Sequence, residues 1–145
     1  MSPRCPERCQ LRVASHFLLW SVGLARAETQ TSTAERAALS EAARGRRRLV
    51  EIGVWHGVTT ARLRASMDPE GVLYAVDPFQ PGRLGFSMQR VIAVREVGRI
   101  GGGKVHWVRL PGALAAEQIL REGPVDFIFI DGDHSYEGLR SDWEA

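Results

Sequence analysis

Residues 49–60 read Leu49-Val50-Glu51-Ile52-Gly53-Val54-Trp55-His56-Gly57-Val58-Thr59-Thr60. The first part is apolar apart from Glu51, as in a buried strand, and two glycines follow where a helix is expected to begin. Glycines at such a turn let a ligand approach the backbone, and the helix N-terminus supplies free N–H donors. A carboxylate inside a buried strand is costly unless it is paired. We therefore expect Glu51 to meet a cationic ligand or an amine.

The spacing of the two glycines is G-x-x-x-G, which differs from the G-x-G-x-x-G of dinucleotide-binding folds. A plain strand-to-helix turn explains such a pair as well as a ligand does. The glycines therefore support a binding site only together with the acidic residues at other strand ends.

Strands and helices alternate along the chain. Hydrophobic patterning predicts strands over 49–54, 72–77, 105–110 and 125–131, separated by helices over 59–67, 86–97 and 113–121. A capping box at Ser32–Glu35 predicts another helix before the first strand. The fourth strand is almost wholly apolar, as expected when helices cover both of its faces. The alternation predicts an α/β fold, a Rossmann-like doubly wound parallel sheet.

Acidic residues end two of these strands, at the sheet edge where such folds bind ligands. Asp77 ends the second strand and suits hydrogen bonds to both hydroxyls of a ribose, although it also suits the start of a turn. Asp131, Asp133 and His134 follow the fourth strand and are able to bind a divalent cation or perform acid–base chemistry. Helix capping by Asp133 or Ser135 explains one of these residues, but not all three.

These segments resemble the class I S-adenosylmethionine-dependent methyltransferases, in particular the group related to cephalosporin hydroxylase-like proteins and macrolide-sugar O-methyltransferases. The matching segments are residues 49–60, 76–79 and 129–136, and the resemblance covers about residues 46–145. It implies S-adenosyl-L-methionine as the cofactor. It also implies binding of the methionine part at Glu51, Gly53 and Gly57, with Thr59 beside them, and of the ribose at Asp77.

The resemblance further implies O-methylation of a small hydroxylated molecule. Asp131 would contact the cofactor and, where Mg²⁺ assists the reaction, would ligate this ion. His134 would act as the catalytic base. Two alternatives stay open: a non-catalytic cofactor-binding remnant and a nicotinamide-dependent oxidoreductase. The glycine spacing and the lack of a Tyr-x-x-x-Lys pair disfavour the oxidoreductase.

Two features depart from the family pattern. Residues 110–113 read Leu-Pro-Gly-Ala, where relatives often have a polar segment near the adenine. The family sheet has seven strands in the order 3-2-1-4-5-7-6, whereas four are predicted here. We therefore expect residues 31–145 to be a methyltransferase domain that is incomplete at its C-terminus. Its fourth strand would be an apolar edge that favours poor solubility or a homo-oligomer.

The N-terminal 30 residues form an expected extension, helical or loose. Residues 4–27 imitate a secretory signal, but the apolar positions of residues 13–24 also fit one face of an amphipathic helix. The pair Cys5 and Cys9 is expected to be reduced. The net charge is +2, no apolar run approaches the ~18 residues of a membrane span, and the basic run 46–48 lacks interleaved aromatics. We expect a cytoplasmic protein that binds neither nucleic acid nor membrane.

Overall fold

The computed structural model describes residues 7–82 and 84–145. The prediction of a reduced Cys5–Cys9 pair concerns Cys5, which lies outside these residues. The elements, in chain order, are α1 (Glu7–Ser21), α2 (Thr33–Ala43), β1 (Arg48–Ile52), α3 (Val58–Ser66), β2 (Val72–Val76), α4 (Met88–Gly98), β3 (Lys104–Val108), α5 (Gly112–Arg121), β4 (Phe127–Ile130) and α6 (Tyr136–Glu144). The predicted strands and helices are all present, with small shifts at their ends.

The described strands form a parallel sheet in the order β3-β2-β1-β4. In its register Glu51 of β1 lies opposite Ala75 of β2 on one side and Phe129 of β4 on the other. Because β1 pairs with both β2 and β4, the strand order reverses beside β1, and this reversal creates the binding crevice of such folds. The topology confirms the predicted Rossmann-like α/β fold.

Helices cover both faces of the sheet, as the period-two alternation along β1 and β2 requires. Leu49 and Leu73 point to the face where they pack with residues of α2 and α3. Val50 and Tyr74 point to the opposite face, where they pack with Ala115 and residues near it in α5. Burial of apolar side chains on both faces is the main force that holds these layers together.

The prediction that helices cover both faces of β4 is wrong for part of that strand. Ile128 is 58% exposed. Helix α5 packs over β1 and β2, and α6 packs against α5, so an open apolar cavity of about 1020 Å³ is left between β4 and these two helices. The strand is therefore an apolar edge of the described sheet.

The N-terminal helix α1 packs against α4. The indole Nε1 of Trp20 donates a hydrogen bond of 2.9 Å to the Glu96 carboxylate, and the ring of Phe17 lies 6.3 Å from that of Phe86. Phe17 and Trp20 therefore pack as the predicted amphipathic helix requires, whereas Leu18 and Leu24, predicted on the same apolar face, are 64% and 77% exposed. Across the described part of the chain, helices that combine the length and the apolar character needed to cross a membrane are absent.

Candidate functional site

A cavity of about 590 Å³ opens at the carboxyl ends of β1, β2 and β4. This volume lies within the range of small-molecule and cofactor sites. The predicted site residues that line it are Glu51, Gly53, Thr59, Asp77, Asp131 and His134. They come from separate parts of the sequence and meet because parallel strands bring their carboxyl ends to one edge.

The two glycines of the first motif have different surroundings. Gly53 has a φ of +90°, and a Cβ at this position would overlap the carbonyl group of Asp131, so only glycine allows β1 and β4 to end so close together. Gly57 has a φ of +74°, and a Cβ there would lie 3.0 Å from the Cα of Ala93 in α4. Gly57 does not line the cavity, so its predicted contact with the cofactor stays a prediction. Its visible effect is the close approach of the α3 N-terminus to α4.

Glu51 is the deepest charged residue of the site. It is 1% exposed, and neither of its carboxylate oxygens has a hydrogen-bond partner within residues 7–82 and 84–145. Burial raises its pKa to about 8; the nearby Thr60 hydroxyl lowers the pKa in part, and the charges of Asp131 and Asp77 raise it further. Without a ligand, Glu51 is therefore mostly protonated at neutral pH, and a cation in the cavity would favour its ionised form.

Asp77 joins two loops at the edge of the cavity. Its Oδ2 accepts a hydrogen bond of 3.1 Å from the Val54 N–H, and its Oδ1 accepts one of 2.7 Å from the Phe79 N–H. Asp77 therefore starts a turn, as the alternative interpretation predicted. Each carboxylate oxygen still has a second lone pair, so the turn does not prevent Asp77 from accepting hydrogen bonds from a ligand.

Asp131 and His134 lie together at the opposite side of the cavity mouth. His134 Nε2 is 3.6 Å from Asp131 Oδ1, and the His134 side chain is 67% exposed. Burial raises the pKa of the Asp131 carboxyl, whereas His134 acts in the opposite direction. An exposed imidazole beside a half-buried carboxylate is accessible to a substrate, and a general base must come within hydrogen-bond reach of the proton that it takes.

The other polar residues of this segment have a structural task. Asp133 Oδ1 accepts the Ser135 N–H over 2.9 Å, and this hydrogen bond lowers the pKa of the Asp133 carboxyl. The Ser135 hydroxyl accepts the Gly138 N–H over 3.0 Å as the N-cap of α6. The capping alternative thus accounts for Asp133 and Ser135, and it leaves Asp131 and His134 without such a role.

Several residues that line the cavity were not among the predicted site residues, and four of them come from Trp55 and the segment 28–30. Trp55 lines it with a φ of +51°, a conformation uncommon outside glycine. Glu28, Thr29 and Gln30, in the segment between α1 and α2, line it as well. Trp55 lies within the first motif, so its position in the sequence could have indicated a role at the site. The short polar segment 28–30 carries no pattern that indicates a binding site.

Asp131, the predicted metal ligand, does not belong to a cluster of three metal-ligating side chains among the described residues. Among the described residues, one group of three His, Cys, Asp or Glu side chains has donor atoms close enough to share an ion, within 4.8 Å of one another. It consists of His16, Glu28 and His56, and it does not include Asp131. The predicted role of Asp131 in binding Mg²⁺ stays a prediction.

A parallel sheet of this order, with acidic residues near the carboxyl ends of β1, β2 and β4, is typical of doubly wound α/β proteins, which bind their ligands at this edge. Comparison with known families narrows this class. The family model described as a methyltransferase domain matches residues 50–145, and the chain belongs to this family. The predicted methyltransferase family is confirmed, while the resemblance to macrolide-sugar enzymes stays a prediction. Curated protein sequences gave no match.

Solved structures with similar folds include three proteins. The O-methyltransferase from Bacillus cereus in complex with SAH has a TM-score of 0.53 at 18% identity. This match covers 99% of the present chain and 63% of the B. cereus chain. Cofactor-bound Rv0187 from MTB has a TM-score of 0.58 at 20% identity, and the match covers 99% of the present chain and 69% of Rv0187. The O-methyltransferase TomG from Streptomyces achromogenes, involved in tomaymycin synthesis and in complex with SAM, has a TM-score of 0.50 at 19% identity, with 97% and 61% covered. These likenesses show the fold, and the chain spans 63% of the length of the B. cereus protein.

Proposed function

We propose that the chain binds S-adenosylmethionine in the 590 Å³ cavity and serves in transfer of its methyl group to an oxygen of a small hydroxylated molecule. The observation that carries the proposal is the Glu51 carboxylate, which lines the cavity and has no hydrogen-bond partner within the described residues. Family membership supports the reaction class, and the SAH and SAM in two structures of the same fold support the choice of cofactor. A cytoplasmic location stays a prediction from the sequence.

The residues at the cavity fit this cofactor. S-adenosylmethionine carries an ammonium group, and a buried carboxylate without a partner among residues 7–82 and 84–145 is stabilised by such a cation. Glu51 would hold the methionine part, with Gly53 permitting close approach to the backbone and Thr59 beside it. Asp77 would accept hydrogen bonds from the ribose hydroxyls.

His134 and Asp131 would act on the methyl acceptor. Bound S-adenosylmethionine supplies a methyl group on a positively charged sulfur. The acceptor hydroxyl must lose its proton as its oxygen forms the new bond to carbon, while the electron pair of the broken S–C bond stays on sulfur. The exposed His134 imidazole is suited to take that proton, and Asp131, with Oδ1 3.6 Å from Nε2, would stabilise the imidazolium that results. Orientation of the reacting groups supplies up to about 7–11 kcal/mol in well-aligned cases.

A role for Mg²⁺ has weaker support. Asp131 offers one carboxylate, and the described residues do not bring two further acidic or imidazole ligands within reach of it. Mg²⁺ prefers octahedral oxygen coordination. We therefore assign no step to the ion. Loss of activity in EDTA that added Mg²⁺ restores would support Asp131 as its ligand, provided that Asp131→Asn loses this dependence.

Titration calorimetry with S-adenosylmethionine and with NADH tests the proposal. The chain is expected to bind S-adenosylmethionine, and Glu51→Gln is expected to weaken binding by about tenfold or more, because it removes a buried charge partner. Glu41→Gln is the matched control, since Glu41 is exposed on α2 and pairs with Arg44. Tight binding of NADH without binding of S-adenosylmethionine would overturn the proposal.

A methyl-transfer assay against a panel of phenols and sugars separates the remaining alternatives. Formation of SAH that depends on the acceptor supports a methyltransferase. Binding of S-adenosylmethionine with no transfer to any acceptor would favour the non-catalytic cofactor-binding alternative.

A further inference from the structure

The segment between α1 and α2 is part of the cavity. Residues 28–31, here called the N-terminal wall, place Glu28, Thr29 and Gln30 on the cavity lining, together with Trp55 and Val58 from the turn after β1. The sequence had assigned residues up to 30 to an extension outside the domain.

Two polar contacts connect the N-terminal wall to the motif that follows β1. The backbone N–H of Glu28 donates a hydrogen bond of 3.0 Å to Nδ1 of His56. The hydroxyls of Thr31 and Thr59 lie 3.2 Å apart in a second hydrogen bond. Thr59 and His56 flank the N-terminus of α3, so the wall is fixed to the same turn that carries Gly53 and Gly57.

The His56 imidazole is suited to accept this hydrogen bond. It is 3% exposed, and burial lowers its pKa to about 4, so the ring is neutral near pH 7. A neutral ring that accepts a hydrogen bond at Nδ1 carries its proton on Nε2. The acceptor is therefore present throughout the neutral pH range.

Ring stacking connects the same imidazole to α1. The His16 ring stacks on His56 with centroids 5.0 Å apart and an interplanar angle of 9°, and Trp55 lies on His56 at 4.8 Å. His16 Nδ1 is also 3.4 Å from Glu28 Oε1. His56 thus contacts the wall, α1 and a residue of the cavity lining at once.

A metal ion is the other occupant that this cluster suggests, because the donors of His16, Glu28 and His56 lie within 4.8 Å of one another. Two observations disfavour it. The Nδ1 lone pair of His56 already accepts the Glu28 N–H. Metal ligation uses the in-plane lone pair of each imidazole, and two nearly parallel stacked rings do not direct these lone pairs to a common point.

We propose that His56 is a positioning residue that holds the N-terminal wall against the cavity, so that residues 28–31 form part of the cofactor-binding site. The proposal rests on the proposed function, because it takes S-adenosylmethionine as the occupant of the cavity. It assigns a role in binding to a segment that the sequence had placed outside the domain.

Three variants of the full 145-residue chain test this role. His56→Phe keeps a stacking ring but removes the acceptor, and His56→Asn keeps an acceptor near the position of Nδ1. Glu28→Pro removes the donor from the other side of the bond. His56→Phe and Glu28→Pro are expected to raise the Kd for S-adenosylmethionine about three- to tenfold, and His56→Asn is expected to recover most of the affinity. In the methyl-transfer assay, the KM for S-adenosylmethionine is expected to rise while kcat changes little.

Limited trypsin digestion gives a readout that does not depend on activity. Arg26 is exposed and lies two residues before the wall, and cleavage after Arg26 is expected to be faster in His56→Phe than in the wild type. Cleavage after Arg121, in α5 on the other face of the sheet, serves as the internal reference and is expected to be unchanged. This comparison remains informative if His56→Phe binds too weakly for calorimetry.

The outcomes separate this proposal from the proposed function. If the wild type does not bind S-adenosylmethionine, the proposed function fails. If the wild type binds and both His56→Phe and Glu28→Pro bind equally well, the positioning role of His56 is wrong while the proposed function stands. Stoichiometric zinc in the purified wild type, lost in His16→Phe, would show that an ion holds the cluster and would overturn the hydrogen-bond proposal.

Discussion

Val54 and Asp77 join the turn after β1 to the end of β2 through one hydrogen bond, in which the Val54 N–H donates to Asp77 Oδ2 over 3.1 Å. The other oxygen, Oδ1, accepts the Phe79 N–H over 2.7 Å. One carboxylate therefore fixes the positions of two loops that line the cavity. The same carboxylate is the proposed acceptor for the ribose hydroxyls, so its structural and binding roles must be separated by experiment.

Asp77→Asn is expected to weaken both stability and cofactor binding. The amide offers one acceptor oxygen and one NH₂ group, so one of the two backbone N–H donors loses its partner, at a cost of about 1–3 kcal/mol. The Kd for S-adenosylmethionine is expected to rise about tenfold or more. Urea unfolding and titration calorimetry measure the two effects.

Asp126→Asn is the matched control for Asp77→Asn. The Asp126 carboxylate accepts the N–H groups of Arg47 at 2.9 Å and Arg48 at 3.0 Å, at the opposite end of β1. A smaller loss of stability is expected, because these hydrogen bonds are exposed and water can replace the lost partner, and the affinity is expected to be unchanged. If Asp77→Asn binds S-adenosylmethionine as tightly as the wild type, the ribose assignment is wrong.

Local features of the fold could be predicted because they depend on neighbouring residues. Nearly continuous apolar runs predicted β1 and β2, and the predicted Ser32–Glu35 capping box is present at the start of α2. The burial of Glu51 also followed from its position within an apolar strand.

Features that depend on distant contacts could not be predicted. The exposure of Ile128 depends on where α5 and α6 pack, which the apolar character of β4 does not encode. The approach of residues 28–30 to the cavity depends on a hydrogen bond to His56, 28 positions away from Glu28. The close approach of Gly57 to α4, where a Cβ would lie 3.0 Å from the Cα of Ala93, likewise depends on a distant contact.

The free energy of unfolding is expected to fall as pH rises from about 4.5 to about 8, through the contribution of Glu51. Its pKa is about 8 in the folded chain against an ordinary value of 4.5, so the folded state holds the extra proton between these pH values. The stabilising contribution of Glu51 is fully present below about pH 4.5 and is lost as pH rises through about 8. The slope is up to about 1.4 kcal/mol per pH unit. Urea unfolding of the ligand-free chain between pH 5.5 and 8.5 measures the slope. The slope for Glu51→Gln is expected to be smaller by that amount. Equal slopes for the wild type and the variant would contradict the assignment.

Binding of S-adenosylmethionine near pH 7 is expected to release up to one proton. Glu51 is mostly protonated without a ligand, and a cation beside it favours the ionised form. The release is expected to decline above pH 8, where the ligand-free group is already ionised. Calorimetry in buffers of different ionisation enthalpy measures it, since the observed heat then varies with the buffer. Glu51→Gln is expected to lose this variation, and a buffer-independent heat for the wild type would argue against a protonated Glu51.

His134→Gln is expected to lower kcat for methyl transfer by about 10²–10⁴, because glutamine retains a polar group but cannot take the acceptor proton. The Kd for S-adenosylmethionine is expected to remain near the wild-type value, since His134 is proposed to act on the acceptor. His106→Gln is the control, because His106 is exposed on β3, with its ring edge-on to Tyr74 and outside the cavity lining. A kcat of His134→Gln within twofold of the wild type would remove His134 from the mechanism.

Ile128→Lys is expected to reduce self-association of the chain. Strand β4 pairs with β1 alone within the described sheet, and Ile128 is 58% exposed beside Leu120 and Leu139, which are also exposed. An apolar strand with a free edge is a template for pairing with a second copy, and a lysine at that edge opposes pairing because its charge would be desolvated. Sedimentation velocity over a concentration series is expected to show larger species for the wild type and a monomer for Ile128→Lys. Val91→Lys, on the exposed side of α4, is expected to behave like the wild type. A wild-type chain that stays monomeric at every concentration would contradict association through β4, because the exposed edge would then be too weak an interface to hold two copies together.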